Sequence, residues 1–461
     1  MKAGALVLPE AMADELATIA KNRLETAGVI LAGLARSARS IRILGVELHA
    51  IGEDGYDIRE DDRLSIPSRS YVRSLAEAER RGLSAIFFHT HPGDDAVPLP
   101  SRWDDAVDAE LTDTFRVRTG SAVYGSLVLS PRDAYFTFSG RGVDGGEPLD
   151  ISRAVVMGDR MALLHGYGLS RGDSQASLFD RNVRAFGSAV QATLGQLRIG
   201  IVGCGGTGSA VAEQLIRLGA RSMLLVDPDV ISESNVSRVY GSTLSDVGRR
   251  KTDVLEGHLS AIAPDAVIQG LNGSVLEQTV VQELVACDVL FGCTDDNAGR
   301  LILTRLASYY LIALIDCGVL ISSNHEAIES IFGRVTVQTP GAACLLCRGR
   351  IDLARASAEQ LPEAERNQLQ REGYAPELGM IEPAVVAFTT AVAAQAVTEL
   401  LDRLIGFGPD PRPTEILLRL HDREVSGNRF MPTVGHFCNP NSKVLGNGDR
   451  EPFLGLLWRA S

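Results

Sequence analysis

Hydrophobic positions in the first 150 residues fall into short runs separated by polar or glycine-containing stretches. Apolar runs of strand length occur at 28–34, 41–48, 83–90 and 126–130. These runs predict strands, whereas the pattern at 70–82 and the segment that begins at Ser101 predict helices. A glycine-rich stretch at 139–148 is typical of a boundary. We therefore expect a mixed α/β domain at 1–145 and a connecting helical region at 146–196.

From residue 197 onward the pattern changes to alternating strands and helices. The apolar run LRIGIVG is followed by a glycine-rich turn, a helical stretch and the run RSMLLVD, and further strand-like runs lie at 289–293 and 311–317. A strand–helix–strand opening of this kind predicts a Rossmann-like domain with a mostly parallel sheet. We expect this second α/β domain to span 197–410, and an irregular tail rich in Pro, Asn and Gly to occupy 411–461.

The charge balance and the cysteine content restrict the class of protein. The chain of 461 residues has a net charge of −13 and no dense block of Lys and Arg, which argues against nucleic acid as a partner. Its most apolar stretches are 301–321 and 383–398. The first is interrupted by Arg305 and Asp316, and the second is too short to cross a membrane, so we expect both to be buried core and not membrane spans. No secretory signal is apparent, and the seven cysteines do not suggest a disulfide framework, so we expect a cytoplasmic protein.

The strongest local motif is HTHPG, which begins at His89 and is followed by Ser101 and Asp104. In an extended segment residues i and i+2 point to the same side, so His89 and His91 can present two imidazoles to one ion. If Ser101 caps a helix, Asp104 lies in its first turn and can add a carboxylate. Two His and one Asp leave a fourth tetrahedral position for water, as a catalytic zinc site requires. The competing interpretation is a polar turn with hydrogen-bonded histidines.

A zinc hydrolase also needs a general base and a donor to the developing oxyanion. Glu25, just before the apolar run at 28–34, is the candidate base, with Glu10 and Glu15 as alternatives, and Ser101 is the candidate donor. Over roughly 1–140 the chain resembles the JAB/MPN (JAMM) metalloprotease family. The pattern that carries this resemblance is an upstream Glu, then His-x-His-Pro, then Ser-x-x-Asp. The resemblance implies a mixed α/β domain that cleaves isopeptide or peptide bonds after the C-terminus of a ubiquitin-like protein.

A second motif, IGIVGCGGTGSA, joins a strand to a helix at 199–210. Glycines let the backbone approach a phosphate, and the helix N-terminus offers free N–H groups to an anion. Asp227 ends the next strand, where a carboxylate binds ribose hydroxyls. These features alone are equally compatible with NAD or FAD. The glycines of the motif are Gly203, Gly205, Gly206 and Gly208.

Charged residues further along the chain favour ATP. Arg238 and Lys251 would bind phosphates and neutralise charge in a phosphoryl or adenylyl transition state, and Asn235 belongs to the same cluster. Asp295 follows a strand at the sheet edge where a magnesium ligand is expected. A Rossmann-like domain that binds no nucleotide is the competing interpretation.

This series resembles the ThiF/ubiquitin-activating family over roughly 175–405. The resemblance implies that ATP and Mg²⁺ are bound by Asp227, Asn235, Arg238, Lys251 and Asp295. It also implies attack of a protein C-terminal carboxylate on the α-phosphate of ATP, with release of pyrophosphate. The lead-in DRNVRAFG makes Arg181 a candidate arginine finger, which that family supplies across a homodimer.

The cysteines depart from the pattern that this resemblance implies. A thioester-forming enzyme needs an accessible Cys of low pKa, yet the stretch at 350–383 contains none. Cys204, Cys287, Cys293 and Cys317 fit buried packing positions. A closed structural zinc site could use Cys344, Cys347, His436 and Cys438. If this zinc site forms, three outcomes remain open: the enzyme stops at the acyl-adenylate, it passes the acyl group to a partner, or it forms an oxyester on a hydroxyl such as that of Ser357. If the zinc site does not form, Cys344 or Cys347 is the candidate thiol.

Together the two resemblances imply a bifunctional enzyme that uses Zn²⁺, ATP and Mg²⁺. One part would activate the C-terminus of a ubiquitin-like protein, and the other would cut a bond made at that C-terminus. A separate conjugating enzyme is the further partner implied. Two alternatives remain open: activation and processing of a sulfur-carrier protein, and a non-catalytic module that binds ubiquitin-like proteins.

Overall fold

A computed structural model describes residues 2–37, 40–61, 63–93, 98–166, 178–324, 327–372 and 383–458. The chain divides into two compact units. Unit 1 comprises Met1–Gly172, Tyr309–Leu311 and Lys443–Glu451, and unit 2 comprises Asp173–Ser308, Ile312–Ser442 and Pro452–Ser461. Among the described residues, no helix combines the length and the apolar character that crossing a bilayer requires.

A mixed sheet forms the centre of unit 1. The strands of this unit are β1 (Lys2–Pro9), β2 (Ala27–Arg36), β3 (Ser40–Ala50), β4 (Ile58–Arg59), β5 (Leu64–Ser65), β6 (Ser84–Thr90), β7 (Val123–Arg132), β8 (Tyr135–Asp144), β9 (Glu147–Met157) and β10 (Ala162–His165). Of these, β4 and β5 pair with each other in a separate two-stranded sheet. The helices are α1 (Glu10–Ala20), α2 (Val72–Arg81) and α3 (Arg102–Thr119). The strand order is β1-β3-β2-β6-β7-β8-β9-β10, and β1 also pairs with β9, so the sheet closes on itself.

Alternate side chains of β6 pack on opposite faces of this sheet. Ile86 and Phe88 join the core cluster that contains α1, whereas Ala85 and Phe87 join the cluster that contains α2 and α3. Because the side-chain period of a strand is two residues, His89 follows Phe87 onto the α3 face. The hydrophobic pattern of this strand therefore decides which helix faces its first histidine.

The expected boundary at 145 is wrong. The glycine-rich stretch is a hairpin turn, in which Gly145 and Gly146 both have positive φ and Asp144 pairs with Glu147. Two consecutive residues of positive φ match the twist of the flanking strands, which explains the Gly-Gly. β9 then pairs in parallel with β1, so unit 1 continues beyond the turn. The expected connecting region is accordingly not all helical, and its residues 167–177 lie outside the described part of the chain.

Unit 2 is built on a second sheet. The strands are β11 (Arg198–Val202), β12 (Ser222–Val226), β13 (Val267–Leu271), β14 (Val289–Gly292), β15 (Ala313–Asn324), β16 (Ala327–Gln338), β17 (Glu415–Arg419) and β18 (Glu424–Asn428). The helices are α4 (Asp180–Gln196), α5 (Gly206–Arg217), α6 (Glu233–Val236), α7 (Lys251–Ile262), α8 (Gln278–Leu284), α9 (Asn297–Tyr309), α10 (Leu353–Glu359), α11 (Glu363–Arg371) and α12 (Val386–Ile405).

The sheet of unit 2 has the strand order β13-β12-β11-β14-β15-β16-β17-β18. The first five strands are parallel, as the sequence pattern predicts, and the last three are antiparallel additions. The order reverses between β11 and β14, and ligands of open α/β sheets bind at such a switch point. The loop after β11 carries the glycine-rich motif, so the topology places that motif at the switch point.

The prediction of an irregular tail after residue 410 is wrong in part. β17 and β18 form a hairpin that extends the sheet, because β17 pairs with β16 from Phe332↔Arg419 to Thr336↔Glu415. The segment Lys443–Glu451 clusters with unit 1. Pro, Asn and Gly around these short elements conceal them from a search for long apolar runs, because such residues are typical of loops.

Replacing Phe88 by Ala should lower the free energy of unfolding of unit 1 by about 3–5 kcal/mol, because Phe88 is fully buried and its removal leaves a cavity. Urea denaturation followed by circular dichroism measures this change. The matched control Phe407→Ala removes an exposed ring and should change the free energy by less than about 0.5 kcal/mol. Equal effects of the two substitutions would contradict the core assignment.

Candidate functional site

Three side chains of unit 1 converge in the cluster His89–His91–Asp104. The Nε2 atoms of His89 and His91 lie 3.2 Å apart, and the carboxylate of Asp104 lies 3.2 Å from His89 Nε2 and 3.5 Å from His91 Nε2. Two ligand atoms bound to one tetrahedral zinc ion at 2.0–2.1 Å lie roughly 3.3 Å apart. The donor atoms and their spacing therefore fit a Zn²⁺ ion held by two His and one Asp.

Local structure at Ser101 orients the carboxylate of this cluster. Ser101 Oγ accepts a hydrogen bond from Asp104 N at 3.2 Å, and Ser101 N donates to Asp104 Oδ2 at 2.6 Å. This reciprocal capping box begins α3, as the sequence suggests, and fixes Asp104 in the first turn. Burial favours the neutral form of Asp104, but hydrogen bonds from His89 and His91 outweigh it and hold the pKa of Asp104 well below its usual range.

Strand register decides which glutamate joins the two histidines. Ala27 of β2 pairs with His89 of β6 in an antiparallel ladder. Continuing that register by two residues brings Glu25 opposite His91, and Glu25 Oε1 lies 3.8 Å from His91 Nε2. Glu25 is buried, whereas the alternative Glu10 is ion-paired with Arg160. Among the three glutamates considered, Glu25 is therefore the one for which an ion pair with this cluster is seen.

A cavity of about 1160 Å³ lies at the switch point of unit 2. Gly203 opens the loop with a φ of 92°, and a Cβ there would lie 2.6 Å from Cys293 O. A Cβ on Gly208 would collide with Gly203 O, so this glycine permits the tight turn itself. Gly203, Gly205 and Gly206 line the cavity, and α5 begins there with its free N–H groups.

Asp227 stabilises the glycine loop as well as lining the cavity. Its carboxylate accepts hydrogen bonds from Cys204 N at 2.7 Å and from Asp229 N at 2.9 Å. Burial raises the pKa of Asp227, although Lys251 and these two hydrogen bonds oppose the shift. One carboxylate thus fixes the loop at the ends of β11 and β12.

Basic side chains supply positive charge to the same cavity. Lys251 Nζ lies 2.7 Å from Asp229 Oδ2 and 3.6 Å from Asp227 Oδ1, and Lys251 and Arg238 both line the cavity. Burial would lower the pKa of Lys251, but the two carboxylates raise it, so the amine stays charged. Asp295 is an exposed residue of the cavity wall, at the carboxyl end of β14. This combination suits a phosphate chain with its divalent cation.

Two residues of the expected nucleotide set lie elsewhere. The side-chain oxygen of Asn235 accepts a hydrogen bond from Ser232 N at 3.1 Å, and Asn235 caps the short helix α6 outside the cavity wall. Arg181 is exposed near the start of α4 and does not line the cavity described here. The local Ser-x-x-Asn spacing explains the first case, because it satisfies a helix end.

Some residues of the cavity wall were not expected from the sequence. Arg300 and Arg334 both approach the buried carboxylate of Asp316, at 3.5 and 2.5 Å. Cys293 and Cys317, which we interpreted as core, also line the cavity. Cys293 follows the parallel strand β14 and Arg300 lies in the first turn of α9, so their positions after a parallel strand could have indicated them. Cys317 and Arg334 lie within β15 and β16, and only the antiparallel pairing of these two strands brings them to the cavity.

The expected structural zinc ligands of unit 2 also converge. His436 Nδ1 lies 3.3 Å from Cys344 Sγ, 3.4 Å from Cys347 Sγ and 3.3 Å from Cys438 Sγ. All four donor atoms lie within 4.8 Å of one another, which fits a closed Cys₃His zinc site. Hydrogen bonding from Cys438 lowers the pKa of Cys344 to about 5, despite burial, and a thiolate is the form that binds metal.

Comparison with known proteins matches the ThiF family model to residues 179–433. A tRNA threonylcarbamoyladenosine dehydratase of Bacillus subtilis is 36% identical over 104 residues, which is 23% of this chain and 41% of that protein. A SAMP-activating enzyme E1 of Haloferax volcanii is 25% identical over 150 residues, or 32% of this chain and 52% of that protein. The chain thus spans about half or less of these relatives.

Two further matches differ in how much of the other protein they cover. An ATP-dependent ubiquitin transferase-like protein Cap2 of Enterobacter hormaechei is 33% identical over 111 residues, or 24% of this chain and 18% of that protein. Among solved structures, E. coli MccB with AMPCPP and MccA has a TM-score of 0.47 at 15% identity, covering 58% of this chain and 75% of that one.

Elemental analysis should find about two zinc ions per purified chain, one for each ligand cluster. Asp104→Ala should remove one ion and leave the other, because it deletes a ligand of unit 1 only. Cys347→Ala should remove the ion of unit 2. Asp105→Ala, which changes the neighbouring carboxylate, is the matched control and should retain both. Full zinc content in Asp104→Ala would contradict the first site.

Proposed function

The chain belongs to the ThiF family, and from this premise we propose that unit 2 uses ATP and Mg²⁺ to adenylate the C-terminal carboxylate of a small carrier protein. The observation that carries the proposal is the large cavity at the switch point, which combines the glycine loop, the start of α5, Lys251, Arg238 and Asp295. Backbone N–H groups, cations and a carboxylate in one cavity match a nucleoside triphosphate with its metal.

The proposed reaction needs positioning and charge neutralisation more than acid–base chemistry. The carboxylate oxygen of the carrier attacks the α-phosphorus of ATP, the bond from that phosphorus to the bridging oxygen breaks, and pyrophosphate leaves. Lys251 and Arg238 offset negative charge on the phosphates, and Asp295 would hold the Mg²⁺ that neutralises further charge there. Arg181 acts from the second copy of a homodimer, in keeping with its exposure near the start of α4.

The carrier is of the ubiquitin-like class. The names of the relatives support this choice, since they include a SAMP-activating enzyme and a ubiquitin transferase-like protein. The donor atoms of Cys344, Cys347 and Cys438 would hold one metal ion together with His436, and thiols that bind the metal would not form a thioester. A nucleophile of a separate conjugating enzyme therefore attacks the acyl carbon of the adenylate, and AMP leaves.

Unit 1 is, in the same proposal, a JAMM-type hydrolase that cuts the bond made at the carrier's C-terminus. His89, His91 and Asp104 would hold Zn²⁺, and the convergence of their donor atoms supports the assignment. A bound zinc ion supplies Lewis acidity and makes water acidic enough to act near neutral pH. Glu25 Oε1 takes a proton from the attacking water and returns it to the leaving nitrogen. Ser101 holds the Asp104 carboxylate in place and lies at the same helix end.

A sulfur carrier is the second candidate substrate, and one observation favours it. An E. coli adenylyltransferase for the sulfur carrier protein ThiS is 30% identical over 100 residues, or 22% of this chain and 40% of that enzyme. The two candidates diverge after adenylation. If sulfide is added, the C-terminus of a sulfur carrier should become a thiocarboxylate, which is visible as a mass increase. The C-terminus of a conjugated modifier should stay a carboxylate or become an amide.

Lys251→Ala should lower the rate of ATP–pyrophosphate exchange by about 10²–10³-fold, because the phosphates lose a buried cation. The assay contains Mg²⁺ and a panel of ubiquitin-like and sulfur-carrier proteins with free C-termini. The control Lys21→Ala removes an exposed lysine of unit 1 and should leave the rate unchanged. If the unaltered chain binds ATP yet exchanges no pyrophosphate with any carrier of the panel, the activation proposal is wrong.

Glu25→Gln should lower the cleavage of a carrier–peptide fusion by about 10²–10⁴-fold, because the amide cannot accept the proton. Mass spectrometry of the products measures this rate, and elemental analysis should show an unchanged zinc content. Glu15→Gln changes an exposed glutamate of α1 and serves as the matched control. Cleavage that survives in Glu25→Gln would transfer the role of base to another group, and no cleavage by the zinc-loaded chain would remove the hydrolase proposal.

A further inference from the structure

A second cavity, of about 270 Å³, opens beside the metal-ligand cluster of unit 1. His89 and Asp104 form part of its wall, and much of the rest is apolar, with Phe87, Leu111 and Val128 among the lining residues. We call this cavity the side pocket. Its volume is that of a single large side chain with some free space, not that of a cofactor.

Arg141 and Asp108, which line the side pocket, are already paired. Arg141 Nε lies 2.9 Å from Asp108 Oδ2, and Arg141 Nη1 lies 2.6 Å from Asp105 Oδ1. Tyr124 OH donates to Asp108 Oδ1 at 2.5 Å. Since these partners satisfy one another, a charged ligand would have to displace an existing ion pair, whereas an apolar group would leave the network intact.

The rim of the side pocket keeps apolar side chains in contact with water. Leu99 is 54% exposed and Val107 is 49% exposed, and both line the pocket. Trp103 is 84% exposed and lies one turn before Val107 on α3, next to the ligand Asp104. Residues four apart on a helix share a face, so these side chains extend the apolar wall outward from the metal cluster. A ligand that covers them removes apolar surface from water.

We propose that the side pocket binds the apolar side chain of a residue next to the bond that unit 1 cuts. The inference rests on the proposed hydrolase function and adds a substrate preference to it: peptide or isopeptide bonds flanked by a residue such as Leu or Phe. Binding there places the neighbouring carbonyl at His89 and Asp104, because these two ligands are part of the same wall.

Trp103 provides a direct test, since the chain has only two tryptophans. In the full-length, zinc-loaded Trp458→Phe/Glu25→Gln chain, Trp103 is the single reporter and peptides stay uncut. Two blocked peptides are titrated into the protein while the fluorescence of Trp103 is recorded. One is acetyl-Ala-Gly-Gly-Leu-Ala-amide, and the other has Gly in place of Leu at position four. The Leu peptide should bind about 10–100-fold more tightly, the factor expected for burying one such side chain. With Glu25 restored, mass spectrometry of the cleavage fragments shows which side of the bond carries the preferred residue.

Two variants connect that preference to the side pocket. Val107→Arg puts a long charged chain on the rim and should reduce the preference for Leu to less than about 2-fold, and Leu99→Asp should act in the same direction. Val117→Arg makes the same change at an exposed position further along α3 and should keep the preference. Equal binding of the Leu and Gly peptides, or a preference that persists in both rim variants, would overturn the inference.

The pocket and the hydrolase proposal fail in different ways. With Glu25 restored, cleavage of carrier fusions without any preference for Leu or Phe next to the bond would leave the hydrolase standing and remove the pocket's role. Selective binding of the Leu peptide with no cleavage of any fusion would keep the pocket as a peptide-binding site and remove the hydrolase.

Discussion

The hydrogen-bonded register between neighbouring strands is the constraint on which the candidate sites of both units depend. In unit 1, the pairing of Ala27 with His89 sets Glu25 opposite His91. A shift of one residue would turn the histidine side chains to the other face of the sheet and away from α3. In unit 2, the parallel pairing of β11 with β12 and β14 brings the ends of these strands to one edge. Strand register therefore brings residues that are far apart in the sequence close together at each candidate site.

Local interactions then fix the orientation that register makes possible. The Ser101–Asp104 capping box holds the carboxylate toward the two imidazoles, and the Asp227 carboxylate holds the backbone of the glycine loop. Both are hydrogen bonds between a charged oxygen and a backbone N–H, which are stronger than hydrogen bonds between neutral groups. They leave little freedom to the side chains that would contact a metal ion or a phosphate.

The two clusters of metal-ligating side chains bring polar groups close together, which costs free energy that a bound cation would offset. Three sulfur atoms directed at one point in unit 2 would bind metal as thiolates, and the hydrogen bond that lowers the pKa of Cys344 raises the pKa of Cys438. In unit 1, the two imidazoles face one carboxylate, so the cluster is already partly compensated. Arg141 and Asp108 in the wall of the side pocket are compensated too, because Arg141 pairs with Asp105 and with Asp108.

The sequence by itself determined what depends on neighbouring residues: the His-x-His pair on one side of a strand, the Ser-x-x-Asp cap, the glycine turn before α5, and the parallel sheet that follows it. The tertiary structure alone decided which glutamate meets the histidines, that β9 pairs with β1, and that β17 and β18 extend the sheet of unit 2. The physical reason is range. Caps and turns are set by bonds within a few residues, whereas pairing of distant strands is selected by burial of whole apolar faces, which no short motif records.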